Sequence, residues 1–196
     1  MTKTVSDEGL DVLFREARTH NGWTDQPVSE IHIKAMYELL KWAPTSANCS
    51  PARFVFVTSP TAKEKLINCL DEGNVEKTRE APLTVIIGND LRFHDHLPKL
   101  FPHTDAKAWF AGNDTKIAET AMRNGTLQGA YLMLAARALG FDCGPMSGFD
   151  GAKVDAAFFE GTSVTSNFLC NIGHGTDKNL FPRSPRFAFD EACEIA

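Results

Sequence analysis

Several short segments of this chain carry side chains whose types and spacing could do chemistry. Pro44-Thr-Ser-Ala-Asn-Cys-Ser-Pro51 sets Thr45, Ser46, Asn48 and Ser50 within a few residues. Their hydroxyls and amides are donors and acceptors suited to the edge of a heteroaromatic ring, although a polar surface turn has the same composition. Each proline pushes the residue before it (Ala43, Ser50) out of the helical region, so the loop is stiff. Arg18-Thr-His20, followed by Asn21-Gly22, concentrates a guanidinium, a hydroxyl and an imidazole. That set can clamp a phosphate, or it can be a polar helix end with Arg18 near the dipole. Lys77 is either a solvated lysine or a cation aimed at a ligand. Gly144-Pro-Met-Ser-Gly148 allows close backbone approach to a ligand, or serves as a glycine-rich connection. In Pro182-Arg-Ser-Pro-Arg186 the prolines keep the chain extended, so Arg183 and Arg186 can project to one site. His94, His96 and His103 lie close together, but no cysteine or carboxylate completes a metal-ligand spacing.

The elements that position these groups follow from periodicity and caps. With 196 residues, the chain is expected to form a single domain over 1–196. Helical spacing runs from Ser6 to Ala17, and again from Glu30 to Trp42 behind a Ser29 cap. A strand is predicted over Arg53–Thr58. Ser59-Pro60 opens a helix to about Leu70, which Asp71-Glu-Gly-Asn74 breaks. Leu83–Gly88 is an apolar run typical of a strand covered on both faces. Asn89–Asn113 is irregular and aromatic, and reads as a segment folding over a pocket, as a lid does, or over a partner. The longest helix spans Asp114–Leu139, with Gly125 and Gly129 permitting close helix approach and Gly140 ending it. Its second half is apolar around much of its circumference, as for a helix buried partly against another subunit. Phe141–Asp150 reads as a connection, Gly151–Phe159 as a helix capped by Asp150, Ser166–Ile172 as a third strand, Phe181–Phe187 as an extended basic tail and Phe189–Ile195 as a short helical end.

Composition narrows the function classes. A net charge of −5 without a basic run argues against nucleic acid. No apolar run approaches the ~20 residues of a membrane span. Met1–Glu16 lacks the pattern of a secretory signal, and the five cysteines are odd in number with no C-x-x-C pair, as expected of reduced thiols in a cytoplasmic protein. There is no G-x-G-x-x-G after a strand, no P-loop and no G-x-S-x-G.

Taken together and in this order, Arg18-Thr-His20, Pro44 to Pro51, Asn74-x-x-Lys77, Gly144-Pro-Met-Ser-Gly-Phe149 and Pro182 to Arg186 resemble the nitroreductase family of FMN-dependent oxidoreductases. The resemblance covers about residues 8–193. More narrowly, Ala17-Arg-Thr-His-Asn-Gly-Trp23, Lys41 to Arg53 and Gly144 to Asp150 are similar to the malonic semialdehyde reductase subgroup of pyrimidine degradation. The resemblance implies an α+β sandwich, with a mainly antiparallel sheet flanked by helices, in an intertwined homodimer with the long helix at the interface. It implies FMN at that interface, touching both chains. Arg18, Thr19 and His20 would hold the phosphate and ribityl end, with Arg183 and Arg186. Pro44, Thr45, Ser46 and Asn48, from the partner chain, would line the isoalloxazine. Asn74 and Lys77 would meet its pyrimidine edge. Pro145, Met146, Ser147 and Gly148 would lie along it, with a backbone N–H facing flavin N5. No side chain is expected to be catalytic, because the flavin carries the redox step. NAD(P)H would be the reductant and malonic semialdehyde the substrate. A broad nitro or quinone reductase, and a flavin-binding protein without turnover, are the alternatives. Three positions depart from many relatives: Gly22 and Phe181 where a basic residue is common, and Ser147 where a glutamate is.

Overall fold

The computed structural model describes residues 3–196. Helices α2 (Glu30–Leu40), α3 (Pro60–Ile67), α6 (Asp114–Ala138) and α7 (Gly151–Phe158) begin on side-chain caps, with Ser29 accepting from His32 N–H, Ser59 from Ala62, Asn113 from Lys116 and Asp150 from Lys153. Each cap satisfies one of the N–H groups that a helix start leaves open. Short helices α1 (Asp7–Leu10), α4 (Glu72–Glu80), α5 (Leu97–Leu100) and α8 (Phe189–Ala192) complete the helical set.

The sheet has four antiparallel strands: β1 (Ala52–Val57), β2 (Leu83–Asp90), β3 (Asp142–Met146) and β4 (Val164–Gly173), in the order β1-β2-β4-β3. Every residue of β2 is buried, as its apolar run requires of an inner strand covered on both faces. Alternation along it divides the core. Val85 and Ile87 pack with Met36, Leu40, Leu132 and Ala136 of α2 and α6. Ile86 packs with Leu66 of α3, Val154 of α7 and Leu169. The result is the expected α+β sandwich, a sheet between two helical layers.

Several expectations are corrected. The first helix is α1 followed by a π-turn over Asp11–Arg15, rather than one helix to Ala17. Asp71–Asn74 ends α3's segment but opens α4, so Asn74 and Lys77 are helical. Phe141–Asp150 contains strand β3, and the strand predicted as third is the fourth. Gly125 and Gly129 bring α6 onto the sheet, not onto a helix. A Cβ at Gly125 would lie 1.9 Å from Asn89 Oδ1, and one at Gly129 would lie 2.5 Å from the Phe168 ring. The aromatic segment 89–113 is folded down around a core of its own. Phe93, Leu97, Ala106 and Phe110 are buried against Cys49, Ile117 and Ala121. Phe93 and Phe110 fill that core, Trp109 is exposed, and His96, Lys99 and Leu100 of the same segment line a cavity beside the Pro44–Pro51 loop.

Candidate functional site

Arg18, Thr19, Arg183 and Arg186 converge on one open cavity of about 530 Å³, and Arg137 from the last turn of α6 joins them. Among the described residues no carboxylate lines this cavity. Thr19 pairs with Cys143 beside β3, which fixes Arg18 against the sheet. The tail is tied down by the arginines themselves. Arg18 donates to the Phe181 carbonyl, and Arg183 donates to the carbonyls of Arg15 (2.9 Å) and Ala17 (3.1 Å). Arg137 donates to Leu13 at 3.0 Å. Each guanidinium has five N–H groups, so these bonds leave donors facing the cavity. Four guanidinium groups without a carboxylate make a strong oxyanion site.

His20 sits behind that wall. Its Nδ1 lies 3.2 Å from the Thr176 carbonyl and its Nε2 lies 3.4 Å from Asp142 Oδ1. Both ring nitrogens therefore face protein acceptors, and the ring braces the segment. A Cβ at Gly175 would lie 2.2 Å from that ring. Gly22 has a similar cause: a side chain there would meet Lys178 and Thr176 at 2.6–2.7 Å, so no basic residue fits. Arg137 adds a cation to the cavity that lacks one at Gly22. Sequence reasoning missed Arg137. Its only signal was a basic residue in a helix's last turn, which ordinarily serves the dipole.

The arginine cavity adjoins a smaller one of about 230 Å³ through Asn21 and Phe181, which line both. Lys77 lines the second, and its ammonium donates to Asn21 Oδ1 at 3.4 Å. Burial pulls the Lys77 pKa below that of a free lysine. Asn74, one turn earlier on α4, donates to the Gly148 carbonyl at 2.6 Å, and Asp71 N–H donates to the same oxygen at 3.1 Å. A Cβ at Gly148 would sit 2.5 Å from Asn74 Nδ2, so this approach requires glycine. Ser147 is exposed at the end of β3, whereas Met146 is buried, its sulfur 3.7 Å from Thr78 Oγ1. Beneath α4, buried Asn171 donates to the Lys77 carbonyl (3.3 Å) and to Thr78 Oγ1 (3.2 Å), and accepts from Thr84 (2.7 Å). That network holds the helix carrying Asn74 and Lys77 at a fixed height above the sheet.

The Pro44–Pro51 loop lies elsewhere. Ala47, Asn48 and Ser50 have positive φ values of 49°, 50° and 38°, so the loop is wound tightly rather than extended. Asn124 of α6 accepts from Ser46 N–H at 2.8 Å, Gln128 from Ala52 N–H at 2.9 Å, and Thr45 from Ser50 N–H at 3.1 Å. Asn48 donates to the Leu100 carbonyl at 2.9 Å. Buried Cys49 anchors the loop, and burial pushes its thiol up to about 11, which keeps it neutral. From Ala52 to Thr19 the path crosses four strand spacings and runs from Thr165 to Ile172 along β4, roughly 30 Å on a flat sheet. The same gap appears along α6, where Asn124 and Arg137 are roughly 20 Å apart. One chain thus gathers Arg18, Thr19, Lys77, Arg183 and Arg186 along a continuous wall, and keeps Pro44, Thr45, Ser46 and Asn48 apart from them.

Known proteins resemble this chain over most of its length. The sequence profile of the Nitroreductase family matches residues 14–161. A provisionally named NADH dehydrogenase/NAD(P)H nitroreductase of Burkholderia lata is 63% identical over 192 residues, 98% of each chain. A protein of the same provisional name from Stenotrophomonas maltophilia is 62% identical over 196 residues, the full length of both. Among solved structures, a provisionally named nitroreductase from Exiguobacterium sibiricum, in complex with FMN, superposes with a TM-score of 0.85 over 100% of both chains at 20% identity. At that identity the likeness speaks for the fold alone.

Proposed function

Because the chain belongs to the nitroreductase family, we propose that it is an FMN-dependent NAD(P)H oxidoreductase acting on a small aldehyde, malonic semialdehyde, to give 3-hydroxypropanoate. The observation that carries the cofactor reading is the carboxylate-free wall of Arg18, Arg137, Arg183 and Arg186, joined through Asn21 to a cavity where Lys77 stands with Lys178, Glu76 and Glu80. The donor chemistry fits FMN at both ends. The guanidinium groups would take the phosphate. Asn74 and Lys77 would face the ring's pyrimidine edge, where the Lys77 ammonium offsets negative charge on the reduced ring. The close Gly148 approach would let the backbone at Ser147–Gly148 run along the ring without a side chain between them. Bound FMN supplies the two-electron carrier between NAD(P)H and an oxidised substrate.

The same geometry supports a homodimer. The Thr45, Ser46 and Asn48 loop is roughly 30 Å from the arginine wall of its own chain, so it would complete the site of a partner. Exposed Met122, Leu127 and Tyr131 on α6, and Tyr37 and Trp42 near the end of α2, are the apolar surface such a dimer would cover. The substrate assignment rests on the motifs Lys41 to Arg53 and Gly144 to Asp150. A broad nitro or quinone reductase is the second reading, favoured by the names of the relatives with 62–63% identity.

An anaerobic absorbance titration tests both. The purified protein should be yellow and bleach on adding NADH or NADPH. Recovery of the flavin bands with malonic semialdehyde supports the specific reductase. Recovery only with quinones or nitroaromatics selects the broad reductase, and a protein that takes up no FMN sinks both.

A further inference from the structure

A third cavity, about 450 Å³, opens beside the Pro44–Pro51 loop, with Asn48 and Ser50 on its wall. Its size suits a small organic ligand. Gln128 lines it and is only 5% exposed. The Gln128 amide is oriented by its neighbour: the Ala52 N–H must meet an oxygen, so Oε1 faces the strand at 2.9 Å. The NH2 is left for the cavity, and among the described residues it has no protein partner. That NH2 opens to the cavity, so it is free to donate to a ligand there. The cavity's other polar side chains include cations. Lys99 has no ion-pair partner among the described residues and lines the same wall. Arg53 lines it too, held in place by Asp90 at 2.6 Å and by the carbonyls of Ser50 and Ala52. Lys41 completes the basic side while bonded to Glu38. No carboxylate lines the cavity, and Trp42 and Phe54 give it an apolar side.

Donors and cations on one side and aromatic carbon on the other fit an oxyanion carried on a short carbon chain. We propose that this cavity binds the carboxylate of a small organic acid, with the Gln128 NH2 and the Lys99 ammonium as its direct ligands and Arg53 as a fixed charge behind them. The inference deepens the oxidoreductase reading and rests on it for one point. If the loop completes a flavin site, an acid seated here lies next to that site, and the enzyme selects substrates bearing a carboxylate.

Calorimetry of the purified protein with malonate, which cannot be reduced, tests the binding apart from turnover. Wild type should bind one malonate per chain. Lys99→Gln should weaken binding several-fold and Gln128→Glu at least about tenfold, since Glu keeps an oxygen for Ala52 N–H but replaces the NH2 by a repelling charge. If Gln128→Glu does not fold, Lys99→Gln still decides. No malonate binding, or equal binding in wild type and Lys99→Gln, overturns the proposal. Tighter binding of inorganic phosphate than of malonate, lost in the same variants, also overturns it and assigns the cavity to a phosphate. Absence of flavin bleaching by NAD(P)H is a separate result: it defeats the oxidoreductase reading while the malonate titration remains readable.

Discussion

Gly144 links the sheet to the arginine wall, and Gly144→Ala tests that link. An added Cβ would lie 2.5 Å from the His20 carbonyl oxygen and 3.1 Å from the Trp23 ring. The first contact is with backbone, so no side-chain rotation relieves it. Reaching an ordinary 3.4 Å contact requires the His20 backbone to retreat by about 0.9 Å. His20 N–H donates to the Cys143 carbonyl at 3.1 Å, and Thr19 pairs with Cys143, so the retreat strains both attachments. Overpacking costs about 1–3 kcal/mol and a lost hydrogen bond about 1, which gives about 2–4 kcal/mol in all. For a chain of this length that lowers the melting temperature by about 4–16 °C. Thr19 and Arg18 move with His20, so a charge-assisted bond set for one phosphate position is lost as well. FMN affinity should fall at least about tenfold. Thermal melts and quenching of FMN fluorescence read the two effects. Gly73→Ala is the control for the melt, because nothing lies within 4 Å of its Cβ. Alanine there should stabilise α4 by up to about 1 kcal/mol. A Gly144→Ala protein that melts with wild type and binds FMN equally well would refute the claim that β3 sets the position of Arg18.

Arg18→Ala and Arg183→Ala should each weaken FMN at least about tenfold while changing riboflavin affinity little, because only FMN carries the phosphate these guanidinium groups face. Equal losses for both flavins would mean the arginines act only by tying down the tail. Asp90 is buried, which raises its pKa, but bonds from Ser163 and Arg92 N–H and the charges of Arg53 and His96 outweigh burial and leave it below 3.8. A depressed carboxylate stabilises the fold above its unfolded pKa and loses that contribution as pH falls through the folded value. Asp90→Asn should therefore cost about 1–3 kcal/mol at pH 7 by urea unfolding, with the gap to wild type closing below pH 3.8. A gap that persists at lower pH would show that the charge is not what stabilises.

What the sequence made legible was local. Ser29, Ser59 and Asp150 could be read as caps because a cap involves its own side chain and an N–H three residues on. The run Leu83–Gly88 identified an inner strand because burial on both faces favours apolar residues, and its one polar member, Thr84, is bonded to Asn171. β3 was hidden because Gly144 and Pro145 are poor strand formers. It exists because it is an edge: its only ladder is with β4, and the outer side carries just the isolated Thr19–Cys143 bridge, so the missing N–H of Pro145 breaks no second ladder. α4 was hidden by Gly73 and Asn74, which weaken a helix. Bonds from Asn171, far along the chain, help hold it. Arg137 could not have been placed, since it meets Leu13 across 124 residues of chain.

The order of motifs along the chain gave the chemistry of the candidate site but not its geometry. The hydroxyl-rich loop and the arginine wall suit two ends of one ligand, yet they lie roughly 30 Å apart on the same sheet. Loop motion cannot close that distance. Ser46 and Ala52 are bonded to Asn124 and Gln128 of α6, and Cys49 is buried beneath them, so the loop moves only if the helix does. Arg137 and Asn124 sit on one continuous helix, which fixes the separation. The proposed second copy, related by a two-fold axis, would remove the difficulty, since each chain would then lend its loop to the other's arginine wall and both sites would be completed by one symmetry operation. The rigidity that keeps the two half-sites apart within a chain would then set their spacing across the pair.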